Sequence, residues 1–469
     1  MTPRPLRRRQ RPRLAWLLLL LPAGCQMPAA HVAGPGPDEG ASCRAALARR
    51  LAEDSAAEAG CRPLRCGCTL LADPLQFLVA AGRGCVGRRV TLALAGAPGP
   101  LAPCADAPPD GPADADLRPA AVQLYPDGDE ALAALEAVID GAGRRLDVLM
   151  FTWDDSDLGR AVAARLAARA GPGLRVRVLV DGGANLIFGP PEDGETATAV
   201  NRSVCWLARQ PYVEVVRTRI PLGHFDHRKL VVADGRVAWS GGRNFTRLAF
   251  HARHDLSFTL QGPLAAELDE RFERFWREQG GAPGEALPAA PAACANAAAR
   301  LVATGPLEHS LRRAVYDAVD SARRYVWVEN PYLTDGALLA KLARARHRGA
   351  DVRVVLSVQT DSPTVNRANR VTADRLLRAG VRVYLYPGLI HTKAAAADGR
   401  WAYLGTGNFD LLSLRRNYEL GVLLGPCPAL AELEDRLFQA DFRPEWELHE
   451  PLPLSPSDYA GELFAGLFL

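Results

Sequence analysis

The strongest constraint on what this chain can fold into is a repeat of scattered polar residues. His227-Arg228-Lys229 and His391-Thr392-Lys393 lie 164 positions apart. In each copy an aspartate (Asp234, Asp398) stands seven residues after the histidine, and an asparagine (Asn244, Asn408) seventeen after it. The asparagines close Gly241-Gly242-Arg243-Asn244 and Gly405-Thr406-Gly407-Asn408. A carboxylate, Asp255 or Glu419, follows twenty-eight residues after the histidine. Five residue types in matched register do not arise by chance. The chain is a duplicated unit with one half-site per copy.

With 469 residues, the chain has room for two or three domains. The pattern divides it into a targeting segment (1–27), a linker with a cysteine-rich module (28–118), a first half (119–280), a linker (281–295), a second half (296–450) and an apolar tail (451–469) expected to pack on the body. Six arginines precede the apolar run Leu14 to Leu21 and then Ala23-Gly24-Cys25, the layout of a secretory signal. Three readings follow: an ordinary cleaved signal, a lipoprotein signal with Cys25 carrying lipid, or an uncleaved anchor. Each makes the protein exported, periplasmic or membrane-attached. Six of the ten cysteines crowd into residues 43–104, which in an exported chain suggests a disulfide-stapled module. Cys205, Cys294 and Cys427 stand outside it, with Cys294 and Cys427 candidates for a pair. The formal net charge of +3 argues against bulk nucleic-acid binding, which shows as a basic patch or stripe.

From Ala120 onwards, dense apolar runs alternate with segments of helical apolar spacing. Strands are predicted at Leu146 to Trp153, Val176 to Val180 and Val213 to Val216, and in the second half at Tyr325 to Glu329, Val352 to Val358 and Val381 to Leu385. Helices fall between them, including Leu158 to Ala170, Gly336 to His347 and a short one at Ala373 to Ala379. This alternation predicts an α/β fold with a mixed sheet flanked by helices in each half. The two halves are expected to face each other so that the motifs converge on one site.

The repeated residues suit metal-free attack on a phosphodiester. A neutral imidazole is a competent nucleophile near neutral pH and an imidazolium a competent acid. Two histidines on opposite sides of one phosphorus can divide in-line displacement through a covalent phosphohistidine. Lys229, Lys393, Asn244 and Asn408 would meet the charge on the phosphoryl oxygens. Asp255 and Glu419 are expected to accept a hydrogen bond from Nδ1 of the histidine in their own copy and to favour the charged ring. Asp234 and Asp398, counted with the catalytic set, are read mainly as holding the motif together. No metal or cofactor is implied. Asp154, Asp155 and Asp157 are explained as an acidic helix N-terminus, and Glu329 and Asp335 in the same way. Asn201-Arg202-Ser203 and Asn244-Phe245-Thr246 match glycosylation acceptors, and neither is read as modified.

These motifs resemble the phospholipase D superfamily, whose signature is His-x-Lys-x4-Asp with a following glycine-rich run to asparagine. The likeness covers about residues 120–445 and is closest to the bacterial cardiolipin synthase branch. Val176-Arg177-Val178-Leu179-Val180-Asp181, Glu329-Asn330-Pro331-Tyr332, Asp351-Val352-Arg353-Val354 and Asn417-Tyr418-Glu419 add to it. The resemblance implies a phosphodiesterase or phosphatidyltransferase acting on phospholipid at a membrane surface. An alcohol, a second lipid or water would be the acceptor, and no metal would be needed. It implies His227 as nucleophile and His391 as general acid, and a monomer suffices because both half-sites belong to one chain. Thr406 and Leu412 depart from the serine and arginine common in that branch. An exported nuclease of the same superfamily and a catalytically idle envelope protein are the alternative readings.

Overall fold

The computed structural model describes residues 116–184, 201–220, 224–287, 294–357 and 359–468. The expected targeting segment, Cys25 and the cysteine-rich module lie outside them. The first half runs β1 (Arg118–Tyr125), α1 (Gly128–Gly141), β2 (Arg145–Met150), α2 (Asp157–Arg169), β3 (Arg175–Val180), α3 (Arg202–Leu207), β4 (Val213–Arg217), β5 (Lys229–Ala233), β6 (Val237–Gly241), α4 (Arg247–His251), β7 (Arg253–His254), β8 (Ser257–Gln261) and α5 (Pro263–Glu278). The second half continues with β9 (Ala297–Thr304), α6 (Ser310–Ser321), β10 (Tyr325–Glu329), α7 (Gly336–His347), β11 (Asp351–Ser357), α8 (Pro363–Arg378), β12 (Arg382–Tyr386) and β13 (Leu389–Ile390). It closes with β14 (Ala394–Ala397), β15 (Trp401–Gly405), α9 (Leu411–Arg415), β16 (Glu419–Leu424), α10 (Pro428–Leu433), a π-helical turn at Glu434–Gln439, and α11 (Pro456–Phe468).

The duplication is visible in the sheet. Fourteen strands form one continuous sheet in the order β12-β11-β10-β14-β15-β16-β9-β1-β8-β6-β5-β2-β3-β4. Reading outwards from the β9–β1 junction gives the same connectivity on both sides. In each half three parallel strands at the edge (β2-β3-β4, β10-β11-β12) meet an antiparallel inner set. The two halves join through the antiparallel pairing of Arg118 to Ala120 with Ala297 to Ala299.

Helices cover both faces of the sheet, so its central strands read as unbroken apolar runs. On one face α5 (Leu264, Leu268, Phe272, Trp276) and the α10 region (Leu430, Leu433, Leu437, Phe438) bury against strands of both halves in one shared core. On the other face each half keeps its own core, around Trp153 and Trp239 in the first and Val354 and Tyr403 in the second. The shared core and the β9–β1 pairing give the halves a fixed frame.

Several expectations are corrected. Helix α8 spans Pro363–Arg378 rather than only Ala373 to Ala379; Ser362 caps it by accepting from the Val365 amide. The tail is helical from Pro456 and packs on α8, where Glu462 pairs with Arg375 at 2.6 Å. Cys294 and Cys427 are both free thiols, so the pair proposed for them does not form. No helix among the described residues is long and apolar enough to cross a membrane.

Candidate active site

Each histidine lies just before an inner strand, and the other half of the chain holds it in place. The backbone N–H of His227 donates to the carbonyl of Tyr418 at 3.0 Å, and that of His391 donates to the carbonyl of His254 at 2.7 Å. A two-residue parallel pairing of β7 with β13 frames the second contact, and a bridge between Asp226 and Tyr418 frames the first. Tyr418 and His254 are each the residue immediately before the late carboxylate of their own copy. The exchange between halves is thus two-fold symmetric, and it overturns one expectation.

Neither carboxylate serves the histidine of its own copy. Nδ1 of His227 lies 3.0 and 3.1 Å from the two oxygens of Glu419, and Nδ1 of His391 lies 2.7 Å from Oδ2 of Asp255. The pairs are crossed because the backbone bonds just described place each carboxylate beside the opposite half's histidine. Both carboxylates are buried. Thr406 donates its hydroxyl to Glu419 at 2.5 Å, while Asp255 accepts from the Leu256 amide at 2.8 Å. At the position matching Thr406, Gly242 leaves space that a Cβ would close, since one would come within 2.0 Å of Asp255 Oδ1.

The lysines are almost wholly buried. Lys229 donates to the carbonyl of His227 at 2.6 Å and Lys393 to that of His391. Burial pushes both ammonium groups down, Lys393 to about 8, while Glu419 and Asp255 oppose the shift. The two lysines depress each other's neighbours: the charge of Lys393 reaches His227, and that of Lys229 reaches Glu419. The two half-sites therefore form one electrostatic unit. Burial lowers both imidazoles below the ordinary histidine range despite their carboxylates. Asp255 is held down at about 2 because the attraction of His391 and Lys393 outweighs its burial, and Glu419 is likewise lowered by His227. Each carboxylate favours the charged form of the ring it faces, as expected, while burial and the neighbouring lysines oppose it.

Asn244 accepts from the Thr152 amide at 3.3 Å through Oδ1, and Oδ1 of Asn408 is buried with no hydrogen-bond partner. Both sit at the ends of the loops after β6 and β15, beside the histidines' strands. Asp234 and Asp398 do not belong to the site. They stand at the far ends of β5 and β14 in left-handed backbone (φ 54° and 58°). Asp234 accepts from the amides of Gly143, Arg144 and Arg145 at 2.7 to 2.8 Å. Asp398 does the same for Arg323, Arg324 and Tyr325 at 2.8 to 2.9 Å. Each therefore pins the turn that leads into a neighbouring strand.

The acidic groups near the helix starts divide. Asp335 caps α7 by accepting from the Leu338 amide at 2.8 Å, and Ser156 caps α2. Asp154 accepts from Ser156, and Asp155 from the Arg202 and Ser203 amides. Glu329 fits no helix start. It ends β10, fully buried, with its Oε1 3.2 Å from Nε2 of His254. Residues that motif spacing did not flag include Phe151, whose ring meets His227 edge-on at 4.6 Å, and Tyr418 and His254, which act through their carbonyls. The 164-residue repeat relates His254 to Tyr418; that correspondence was the available signal.

A duplicated α/β sheet whose two His-x-Lys half-sites each take a carboxylate from the other half defines a protein of the phospholipase D type. The chain matches the family described as "Cardiolipin synthase, PLD-like domain" over residues 135–276 and 315–441. It belongs to that family. Over 321 residues it is 27% identical to cardiolipin synthase A of Citrobacter koseri, covering 65% of each chain. Over 342 residues it is 30% identical to cardiolipin synthase A of Pseudomonas entomophila, covering 68% of each. The aligned part thus spans about two thirds of the length of these relatives, 65% for the first. Among solved structures, phosphatidylserine synthase of Haemophilus influenzae shares the fold, with a TM-score of 0.54 at 15% identity over 73% of this chain and 92% of that one.

Proposed function

We propose that this chain transfers phosphatidyl groups between alcohols, and hydrolyses the phosphodiester when water is the acceptor. The observation that carries this reading is the crossed pair of buried imidazole–carboxylate contacts beside two buried lysines. Nothing in that set suits a neutral substrate. Two ammonium groups and two imidazoles, each held at Nδ1 by a carboxylate, suit a single anionic phosphorus with an oxygen on either side.

Nε2 of His227 attacks phosphorus as the bond to the leaving alkoxide breaks, and Nε2–H of His391 donates its proton to that oxygen. The phosphodiester's own negative charge favours the imidazolium that this step needs, adding to the carboxylate beside the ring and working against burial, which disfavours the charged form. The acceptor hydroxyl then gives its proton to His391 and attacks phosphorus, and the P–N bond to His227 breaks. Asp255 and Glu419 fix the tautomers throughout, and Lys229 and Lys393 meet the charge that develops on the phosphoryl oxygens. The assignment of His227 as nucleophile rests on the resemblance of the motif order. Attachment of the protein outside the cytoplasm, through a signal or a lipidated Cys25, is part of the same reading and rests on the composition of residues 4–25.

Purified protein incubated with phosphatidylglycerol vesicles, with and without a small primary alcohol, tests the proposal. Headgroup exchange in the presence of alcohol is the expected result. Cleavage of single-stranded DNA in a parallel reaction with no lipid turnover would instead establish a nuclease, and silence on both would leave an idle fold.

A further inference from the structure

Behind the half-site of His391 lies a second cluster that the transfer reaction does not use. His254 comes from β7 of the first half, Glu329 from the end of β10, and Asp441 from just beyond the π-helical turn of the second half. Nε2 of His254 stands 2.7 Å from Oδ2 of Asp441 and 3.2 Å from Oε1 of Glu329. One donor atom from each of the three lies within 4.8 Å of the others. The imidazole is held in orientation by stacking on Tyr386, centroids 4.8 Å apart.

The chemistry of the cluster is incomplete as it stands. A single N–H on Nε2 is directed at Asp441, the shorter contact, and the approach to Glu329 lacks hydrogen-bond geometry. Glu329 has no exposed surface, and neither of its oxygens has a hydrogen-bond partner. A carboxylate in that position loses its hydration for one shared imidazole contact at 3.2 Å and lies beside a second carboxylate, which is costly. Two carboxylates face one imidazole, and no lysine or arginine among the described residues pairs with Glu329.

We propose that His254, Glu329 and Asp441 bind a divalent metal ion of the zinc class. One imidazole nitrogen and two carboxylate oxygens are a familiar donor set for such an ion, and the spacing of the donor atoms suits one small cation between them. The imidazole retains some exposure, with 20% of its side chain open, which provides an entry path and room for water as a further ligand. The ion would take no part in phosphoryl transfer. It would tie β7 of one half to β10 and the C-terminal region of the other. The same His254 supplies the carbonyl that accepts from the backbone amides of His391 and Thr392. The metal would therefore fix the frame on which His391 is mounted.

The test uses the full chain, stripped with a chelator and dialysed. Zinc is titrated by calorimetry and thermal melting into wild type, Glu329→Gln and Asp441→Asn. Cobalt(II) is added to a parallel sample to report the ligand type by absorption. The expected result is one equivalent of zinc bound by wild type with a rise in melting temperature, and loss of that rise in both variants. Cobalt should show visible bands without the intense near-ultraviolet transition of thiolate ligation, which separates this site from the cysteines. Glu329→Gln changes one oxygen to an amide nitrogen and carries the test alone should Asp441→Asn fail to fold. A stripped wild type whose melting ignores zinc, or a zinc-dependent rise that survives in Glu329→Gln, would overturn the proposal and leave the three groups sharing protons instead.

Discussion

The two half-sites carry the same reacting groups but sit in different walls. His227 lies edge-on to Phe151, and the Lys229 ammonium stands 4.8 Å from the same ring, with Phe225 packed behind it. Around His391 the wall is ionic: Arg253 pairs with Asp361 at 2.9 Å, and Tyr332 donates to the same carboxylate. The carboxylates differ as well. Glu419 presents both oxygens to His227, whereas Asp255 presents one at closer range. Duplication gave two matched imidazoles, and the proposed division of roles between them would rest on the divergence of their neighbours.

The largest effect that can break this comparison comes from the histidines. His227→Ala and His391→Ala should each lower headgroup exchange about 10³-fold or more, since each removes a proton-transfer or nucleophilic group. A diester with a nitrophenol leaving group separates them. It needs no general acid, so His391→Ala should still release one equivalent of nitrophenol and accumulate phosphorylated enzyme, while His227→Ala should not. The reverse pattern, read by intact mass, would exchange the two roles.

The crossing of the carboxylates gives the next largest effect. Asp255→Asn should lower exchange about 10²–10⁴-fold, as removal of a histidine-orienting carboxylate does elsewhere. It should behave like His391→Ala, sparing the nitrophenol burst. Glu419→Gln should behave like His227→Ala and lose it. Within each crossed pair the double substitution should cost little more than the single one, because the members act as a unit. Strict additivity within those pairs, measured by exchange rates, would show that the crossed contacts do not matter in solution.

Sequence reading found the residues of this site but not their pairing. The spacing of Asp255 and Glu419 is the same whether each serves its own half or the other, so a repeat is silent on that choice. Only the β7–β13 pairing and the Asp226–Tyr418 bridge decide it, and pairings of two residues or fewer leave no periodic pattern. Asp234 and Asp398 hold the fold together through backbone amides, as mainly read, but their place in the catalytic set does not hold: seven residues along a motif suggests proximity, whereas an extended strand carries the seventh residue to its opposite end. The α/β class and most strands were legible because the sheet is covered on both faces and its apolar runs are dense. The first turns of α8 were not, since Asn366, Arg367, Asn369 and Arg370 interrupt any apolar stripe. The Ser362-Pro363 start was the cue that remained. Glu329 looked like an ordinary acidic residue beside a helix because its partners, His254 and Asp441, are far from it along the chain.

A pH profile sharpens the comparison with a smaller effect. Burial pushes Lys393 down to about 8, so in the free enzyme its charge is present below that pH and lost above it. The expected profile of kcat/KM, which reports the free enzyme, falls on the alkaline side with a midpoint near 8. Lys393→Arg keeps the charge at all accessible pH values and should remove that limb, at some cost in rate from its different shape. An alkaline limb unchanged in Lys393→Arg would assign it to another group.

The smallest effects should distinguish the two walls themselves. Phe151→Leu removes the ring edge beside His227 and the face beside Lys229. Loss of the aromatic contacts should cost about 1 kcal/mol of stability and lower exchange several-fold as water reaches the first half-site. Asp361→Asn breaks a partly exposed pair, its carboxylate 44% open, so the stability cost should stay within about 0–1 kcal/mol. Denaturant melts of both variants, set beside their exchange rates, read the asymmetry directly. If the ionic wall proves the costlier to break, the second half-site, and not the aromatic first, is the one whose surroundings limit the reaction.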